Sequence, residues 1–426
     1  MTDISLLVIS GLFVLAYLID VFGHRHKLPS VVLLIATGMI ARQVLDRLDM
    51  QLRFVETLLP VVGTVGLILI VLEGALDLEL RRERTKLIAK SSGAAMLGFG
   101  VTLAAFMFLL HQLLGFTWQV AALAAMPFAV ISSAVAIPSA KGLPNHTREF
   151  VVYESSLSDI IGVLVFYAWL GSDGSAAQFA EELFGGGGLS LLAAVLVALL
   201  LFYMINRIEG HVRFVPLLAG LMLLYALGKV LHLSPLVLVL VCGLLLNNPH
   251  LLEWNARLKS MHNPGYDKTL GEFKGLVAEL TFATKSVFFI MLGYWTDLSH
   301  MTDWRGWALA AAMVGIIFAS RAGILRLLRI EDPRRLLWIA PRGLITVLLY
   351  LTAKDTGTID DFPFGAVMLV VLVTATVTAF AHRGGEDLDT GEKGGKAAAP
   401  DDDGDEAGTA AAAAPAGESK PESAAV

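Results

Sequence analysis

The sequence predicts an all-α, polytopic membrane protein with about thirteen transmembrane helices. The 426-residue chain is 56% hydrophobic and only 16% charged, with a mean hydropathy of +0.68, whereas a soluble domain carries about 25% charged residues. Apolar stretches of roughly 20 residues, the length that crosses a bilayer, recur along most of the chain. The first of them, 4–22, has neither a basic flank nor a small-residue cleavage site, so it is predicted to be a retained span.

The thirteen spans follow one another with short loops between them. They are predicted at residues 4–22, 28–46, 56–77, 88–113, 117–140, 147–170, 188–206, 213–231, 234–248, 275–297, 304–326, 335–353 and 362–382. Lys and Arg concentrate in alternate loops, chiefly 81–90, 257–274 and 329–335. Because basic loops stay on the cytoplasmic side, the pattern predicts an external N-terminus and a cytoplasmic C-terminus, in the inner (plasma) membrane.

Two further segments define the domain organisation. Residues 1–382 form the predicted transmembrane domain, within which 250–270 is predicted to be an amphipathic connector between two six-helix groups. Residues 383–426 are rich in Ala, Gly, Pro and acids and contain no aromatic residue. This composition cannot bury enough apolar surface to fold and predicts a disordered acidic cytoplasmic tail.

Several function classes are excluded by what the sequence contains. Its one cysteine, Cys242, lies in an apolar run and cannot form a disulfide within the chain or a cysteine zinc site. No nucleophile, resident metal or cofactor motif is present, so we expect neither an enzyme nor a nucleic-acid-binding protein, and no cofactor. The expected partner is the lipid bilayer.

The most informative residue is Asp159, near the centre of the sixth predicted span. Ionisable groups at this depth are expensive and by default mark functional sites. Ser155 lies one helical turn before Asp159, and Ser158 lies beside it, in a run that reads Glu-Ser-Ser-Leu-Ser-Asp over 154–159. One carboxylate with nearby hydroxyls suits a monovalent cation better than a divalent one. Burial penalises the charged carboxylate, so that proton and cation compete for the same oxygens. The alternative is that Asp159 is a satisfied structural acid.

Other intramembrane charges need partners. Arg321 and Arg342 lie in the eleventh and twelfth spans, and Glu154 is the obvious acid for one of them. Glu73 near the end of the third span is either part of the site or an interfacial acid whose side chain reaches water. In the tenth span, Glu279 and Lys285 are candidates for a structural pair.

Two spans carry helix breakers. The fifth contains Pro127 and Pro138 on either side of Ser132-Ser133, and the twelfth contains Pro341-Arg342-Gly343. Discontinuous helices at the midplane expose backbone groups to transported ions in many transporters. Each break lies fifth or sixth in its six-helix half, as two inverted-topology repeats would require.

These residues resemble motifs of the monovalent cation:proton antiporter superfamily, of the sodium/proton exchanger type. The 154–159 run is similar to its Glu-Ser-Leu-Leu-Asn-Asp stretch. Further similarities run in family order across residues 60–350: Leu72-Glu73-Gly74 with Asp77-Leu78, Ile290–Gly293 with Asp297-Leu298, Arg321-Ala322-Gly323, and Arg342-Gly343-Leu344.

The resemblance implies a homodimer with a dimerisation domain and a mobile core domain, in which the fifth and twelfth helices cross and partly unwind. It implies that Asp159 binds cation and proton alternately, helped by Ser155, Ser158 and Glu73, with Ser132 and Ser133 in the unwound helix. It also implies a structural Glu154–Arg321 pair, and that Arg342 supports the crossing helices.

The chain departs from the family pattern at two places, and the identity of the ion stays open between Na⁺, Li⁺ and K⁺. Ser158 replaces Asn or Asp, and Ser132-Ser133 is closer to the branch that includes potassium/proton proteins. Arg321, where electrogenic members often carry lysine, favours electroneutral exchange because an arginine keeps its proton. The leading hypothesis is Na⁺ (or Li⁺ or K⁺) exchange for H⁺ in pH homeostasis. A channel-like K⁺ efflux protein and a non-transporting scaffold with an acidic tail are the alternatives.

Overall fold

The computed structural model describes residues 2–26, 28–47, 54–80, 84–140, 142–172, 174–207, 214–230, 235–251, 264–296, 304–359 and 361–380. The regular secondary structure of these residues is entirely helical, with no β-strand among them. The α-helices found there are α1 Thr2–His26, α2 Ser30–Arg47, α3 Phe54–Asp77, α4 Thr85–Leu114, α5 Trp118–Ala129, α6 Ser133–Ser139, α7 Asn145–Gly171, α8 Ala176–Ala180, α9 Gly186–Arg207, α10 Phe214–Val230, α11 Pro235–Asn247, α12 Pro264–Trp295, α13 Trp304–Leu327, α14 Pro333–Leu337, α15 Leu344–Asp355 and α16 Phe364–Phe380.

Each of the thirteen predicted spans coincides with a helix or a broken helix. Six segments of the described chain are long and apolar enough to cross a bilayer: Leu58–Asp77, Thr85–Leu114, Trp118–Ser139, Asn145–Gly171, Gly265–Trp295 and Trp304–Leu327. Five shorter apolar helices accompany them. The all-helical membrane architecture is therefore present, and the count of thirteen crossings remains a prediction.

The start of α12 differs from the prediction. The tenth span was expected at 275–297, with 250–270 as a surface connector, yet α12 begins at Pro264. Proline is well suited to a first helical turn. Tyr266, Leu270 and Phe273 are buried at helical spacing, so the charged residues between them occupy the other face of one long helix. Residues 252–263 of the connector and the 383–426 tail lie outside the described residues.

The fifth predicted span is broken in the middle. α5 ends at Ala129, the backbone of 130–132 is extended, and α6 begins at Ser133. Pro127 and Pro138 each remove a helical N–H and crowd the carbonyl four residues earlier. The segment between the two prolines is therefore the part of the span where helical backbone hydrogen bonding is weakest.

The twelfth predicted span is broken in the same way. α14 ends at Leu337, and α15 begins only at Leu344, with a non-helical segment at 339–343. Pro341 disfavours helical geometry at the residue before it, and Gly343 adopts a non-helical backbone conformation just before α15. The local sequence thus ends one helix and starts the next.

The helices pack as two bundles. α1–α3 and α9–α12 form the first bundle, in which α12 packs along α2 and α3. Gly38 and Gly293 make the α2–α12 crossing close, since a Cβ on Gly38 would lie 2.1 Å from the Ile290 carbonyl oxygen. α4–α7 and α13–α16 form the second bundle, which contains both broken helices. Fewer contacts join the bundles, and α3 contributes several of them through α7 and α15.

Candidate functional site

The two breaks meet inside the second bundle. The backbone N–H of Ser132 donates to the carbonyl oxygen of Pro341 at 2.9 Å. Gly343 permits this approach, because a Cβ there would lie 2.6 Å from the Ser132 hydroxyl oxygen. The extended segments therefore satisfy part of each other's backbone hydrogen bonding, which an isolated break in a membrane cannot do.

α7 brings Asp159 against the first break. Gly162 lets α7 approach, since its built Cβ would fall 2.1 Å from the Val130 Cγ2. The backbone N–H of Ser133 donates to Asp159 Oδ2 at 3.0 Å. The N–H of Ile131 donates to the Ser158 hydroxyl oxygen at 2.9 Å. Asp159 is 4% exposed, so its carboxylate lies inside the protein, where the backbone N–H and the side chain of Ser133 are its hydrogen-bonding partners.

Three oxygens on α7 and the first break are buried without a hydrogen-bond partner in the described residues. They are Asp159 Oδ1, Ser132 Oγ and Ser156 Oγ. A buried polar atom left unpaired costs about 1–3 kcal/mol and calls for an explanation such as a bound ion or water. The arrangement can receive a positive species: a carboxylate oxygen and two hydroxyls provide hard oxygen ligands.

Glu154, five residues earlier on α7, is in a different situation. Arg321 Nη1 and Nη2 donate to Glu154 Oε1 and Oε2, both at 2.9 Å. Arg321 Nε also donates to the Leu336 carbonyl oxygen at 2.6 Å, and both side chains are buried. This bidentate geometry is the strong form of an arginine–carboxylate contact and links α7 to α13 and α14.

Arg342 joins the two breaks. Its Nε donates to the Phe128 carbonyl oxygen at 2.6 Å, near the C-terminal end of α5, and its Nη1 donates to the Ala340 carbonyl oxygen at 3.2 Å. A cation is favourable at a helix C-terminus, where carbonyls lack helical partners. Arg342 also acts electrostatically on Asp159 and Glu154, so one buried charge influences both carboxylates.

A small cavity lies beside these charges. Its volume is about 20 Å³, and it is lined by Glu154, Arg321 and Arg342 and by two hydroxyl residues, Thr102 and Ser320. The hydroxyl oxygens of Thr102 and Ser320 are 2.9 Å apart. This is room for a single water molecule, which is consistent with a polar interior at this level of the bundle.

Two of the predicted site residues have partners other than Asp159. The Ser155 hydroxyl donates to the Val151 carbonyl oxygen at 2.7 Å, within its own helix. Glu73 lies beside Lys285 and Thr281 of α12. The expected Glu279–Lys285 pair is therefore replaced by a Glu73–Lys285 neighbourhood. Its physical reason is that residues six apart on a helix do not share a face, and Glu279 is exposed.

The site contains a residue that sequence reasoning did not assign. Ser156 stood in the serine-rich run but carried no prediction, because a helical serine usually donates to its own helix. The described residues hold no group of three or more His, Cys, Asp or Glu side chains that could bind a metal ion. The arrangement of one half-paired carboxylate and hydroxyls suits a proton or a singly charged cation.

Comparisons with known proteins identify the family and the fold. A sequence model of the family "Sodium/hydrogen exchanger, transmembrane" matches residues 10–382. The structure is similar to that of the sodium proton antiporter MjNhaP1 from Methanocaldococcus jannaschii at pH 8, with a TM-score of 0.70 and 20% identity, over 90% of this chain and 98% of that one. It is similar to an electron microscopy structure of the same antiporter, with a TM-score of 0.69 and 20% identity, over 94% of this chain and all of that one. No curated protein matches the chain significantly.

Proposed function

Because this chain belongs to the transmembrane sodium/hydrogen exchanger family, we propose that it exchanges a monovalent cation for H⁺ at Asp159. The family is one of transporters, which confirms the expectation that the chain is not an enzyme. Membership together with the apolar helices makes it a multi-pass membrane protein. Cation/proton exchange is the activity that the family supports, and the steps below are the proposal.

The observation that carries the proposal is the half-paired state of Asp159. Oδ2 is held by the Ser133 N–H, and Oδ1 is buried without a partner in the described residues. A proton on this carboxylate removes the charge, and a cation beside Oδ1 neutralises it. Each therefore relieves the same penalty of a buried charge, so the two compete.

Competition at one carboxylate, combined with alternating access, is sufficient for obligatory exchange. The cation binds when the proton has left, and the proton displaces the cation after the site faces the other side. One-for-one exchange is electroneutral, in keeping with Arg321, which stays protonated. A tenfold cation gradient then balances one pH unit, each worth about 1.4 kcal/mol.

The proposal assigns a different role to each of the two bundles. The second bundle holds Asp159, both breaks and the Glu154–Arg321 pair, and in the proposal it moves as the core domain. The first bundle, which packs on it through fewer contacts, is assigned to dimerisation. The same proposal includes a homodimer and two inverted repeats, each of which contains one broken helix. It also includes an inner-membrane location with a cytoplasmic C-terminus.

The transported ion is proposed to be Na⁺, with Li⁺ and K⁺ as the alternatives. The test uses purified protein in liposomes that contain a pH-sensitive dye and have an acidic interior, with NaCl, LiCl or KCl added outside. We expect each transported cation to enter the liposomes and to drive protons out. The rate of proton movement should be the same at each value to which the membrane potential is clamped. Cation flux that proceeds without proton counter-movement would instead establish the channel-like K⁺ efflux reading.

A further inference from the structure

Ser156 is a polar residue on the helix of Asp159 whose position is not explained by the packing. It lies on α7, three residues before Asp159, and is 2% exposed. Its hydroxyl oxygen has no hydrogen-bond partner in the described residues. Its neighbour Ser155, with the same side chain on the same helix, donates to its own helix at Val151. Ser156 therefore lacks the hydrogen bond that a helical serine usually makes, to a carbonyl oxygen of the preceding turn.

The surroundings of Ser156 leave room next to its hydroxyl. It faces Gly74 of α3, and a Cβ built on Gly74 would lie 3.9 Å from the Ser156 oxygen, an ordinary contact distance. Since glycine has no side chain, the space that a Cβ would fill is open. This space lies where α3 of the first bundle meets α7 of the second.

Ser156 and Asp159 are close along the helix, three residues apart. Side chains three residues apart are neighbours, with Cβ atoms about 5–6 Å apart. An alkali cation bonded to Asp159 Oδ1 can thus reach an oxygen on Ser156. Ser156 Oγ and Asp159 Oδ1 are both buried without a partner in the described residues. One bound cation that contacts both oxygens would account for both.

We propose that the Ser156 hydroxyl is a further ligand of the transported cation, approaching it from the α3 side, while Asp159 supplies the charge. This inference rests on the proposed function, because it assigns a ligand to the same site. A hydroxyl is neutral, so Ser156 alters the affinity for a dehydrated alkali cation and the preference among Na⁺, Li⁺ and K⁺. It does not alter the number of protons exchanged.

The matched control is Ser91 on α4. Its hydroxyl is also buried, at 0% exposure, and also has no partner in the described residues. Ser91→Ala and Ser156→Ala remove the same atom from the same kind of environment. Ser156→Thr keeps the hydroxyl and serves as the conservative variant. Thermal unfolding in detergent establishes that each variant is folded.

The experiment measures proton movement in liposomes as a function of NaCl, LiCl and KCl concentration at fixed pH. We expect Ser156→Ala to raise the apparent KM for the preferred cation about tenfold, equivalent to about 1.4 kcal/mol, with a smaller change in maximal rate. Ser156→Thr should restore KM to within about threefold, and Ser91→Ala should match wild type.

The outcomes separate this inference from the function on which it rests. If wild type exchanges cations for protons and Ser156→Ala has the wild-type KM for all three ions, the inference is wrong and the exchange function stands. A Ser156→Ala variant that is folded but loses maximal rate with unchanged KM also overturns it. If wild type itself shows no exchange, the proposed function fails, and the assignment of Ser156 fails with it.

Discussion

Two buried carboxylates on α7 are five residues apart and have opposite environments. Both oxygens of Glu154 accept from the Arg321 guanidinium at 2.9 Å. Asp159 has one oxygen on the Ser133 N–H and one without a partner in the described chain. Both are almost fully buried, at 3% and 4% exposure. Burial alone therefore does not distinguish a structural acid from a functional one.

The difference lies in whether the protein itself neutralises the carboxylate. Arg321 gives Glu154 a permanent counter-charge in ideal geometry, so an ion has nothing to add. Within the described residues, Asp159 has only neutral hydrogen-bonding neighbours, the side chain and backbone N–H of Ser133, and the charge of Arg342 acts on it without an ion pair. In the proposed function, a mobile proton or cation is the group that completes its charge balance.

The largest expected effect on stability comes from breaking the Glu154 pair. Arg321→Gln leaves Glu154 buried without its counter-charge, and a loss of about 3–5 kcal/mol in unfolding free energy is expected. The measurement is thermal unfolding in detergent, with Arg326→Gln, an exposed arginine on the same helix, expected within about 0.5 kcal/mol of wild type.

A double variant sharpens this comparison. Glu154→Gln combined with Arg321→Gln removes both charges, so it should be less destabilised than either single change, because no isolated buried charge remains. Additive losses in the double variant would mean that the pair is not the source of the effect.

A smaller effect is expected at the contact that positions the first break. Gly162→Ala drives a methyl group to 2.1 Å from Val130 Cγ2 and should cost about 1–3 kcal/mol through overpacking. Trimming Val130 to alanine in the same protein should recover part of the loss. Gly315→Ala on α13, where a Cβ meets no heavy atom within 4 Å, should be neutral or stabilising by up to about 1 kcal/mol. Equal destabilisation by both alanines would argue against the close α7–break contact.

The smallest effect on stability is expected at a surface arginine–glutamate pair, which has the same chemical groups as the buried Arg321–Glu154 pair. Arg84 Nη2 lies 3.3 Å from Glu149 Oε1, with side chains 37% and 31% exposed. Glu149→Gln should change the unfolding free energy by at most about 1 kcal/mol, and added salt should shrink the difference further. A loss as large as that of Arg321→Gln would show that burial does not determine the strength of these pairs.

Local sequence was sufficient for much of the fold. Long apolar runs predicted the helices, and Pro127, Pro138 and Pro341 with Gly343 predicted the places where two of them are interrupted, because proline and glycine act within a few residues. The beginning of α12 could not be predicted in this way. Its buried positions Tyr266 and Leu270 alternate with charged residues, and only packing against other helices reveals which face is inside.

The site was predicted in part. A carboxylate at mid-span is conspicuous at Asp159, and Glu154 and Arg321 needed partners, which the structure shows to be each other. Sequence could not tell that Arg342 binds the Phe128 carbonyl, that Ser155 bonds its own helix while Ser156 does not, or that Lys285 faces Glu73. These are properties of side-chain direction and of contacts between distant segments.

The measurement that tests the central claim most directly is proton release on cation binding. Purified protein in weakly buffered detergent solution is titrated with NaCl, LiCl or KCl, and released protons are followed with a pH indicator. If proton and cation exclude each other at Asp159, wild type releases about one proton for each cation bound, and Asp159→Asn, which cannot ionise, releases none while remaining folded. Cation binding without proton release in wild type, or undiminished release from Asp159→Asn, would contradict the account.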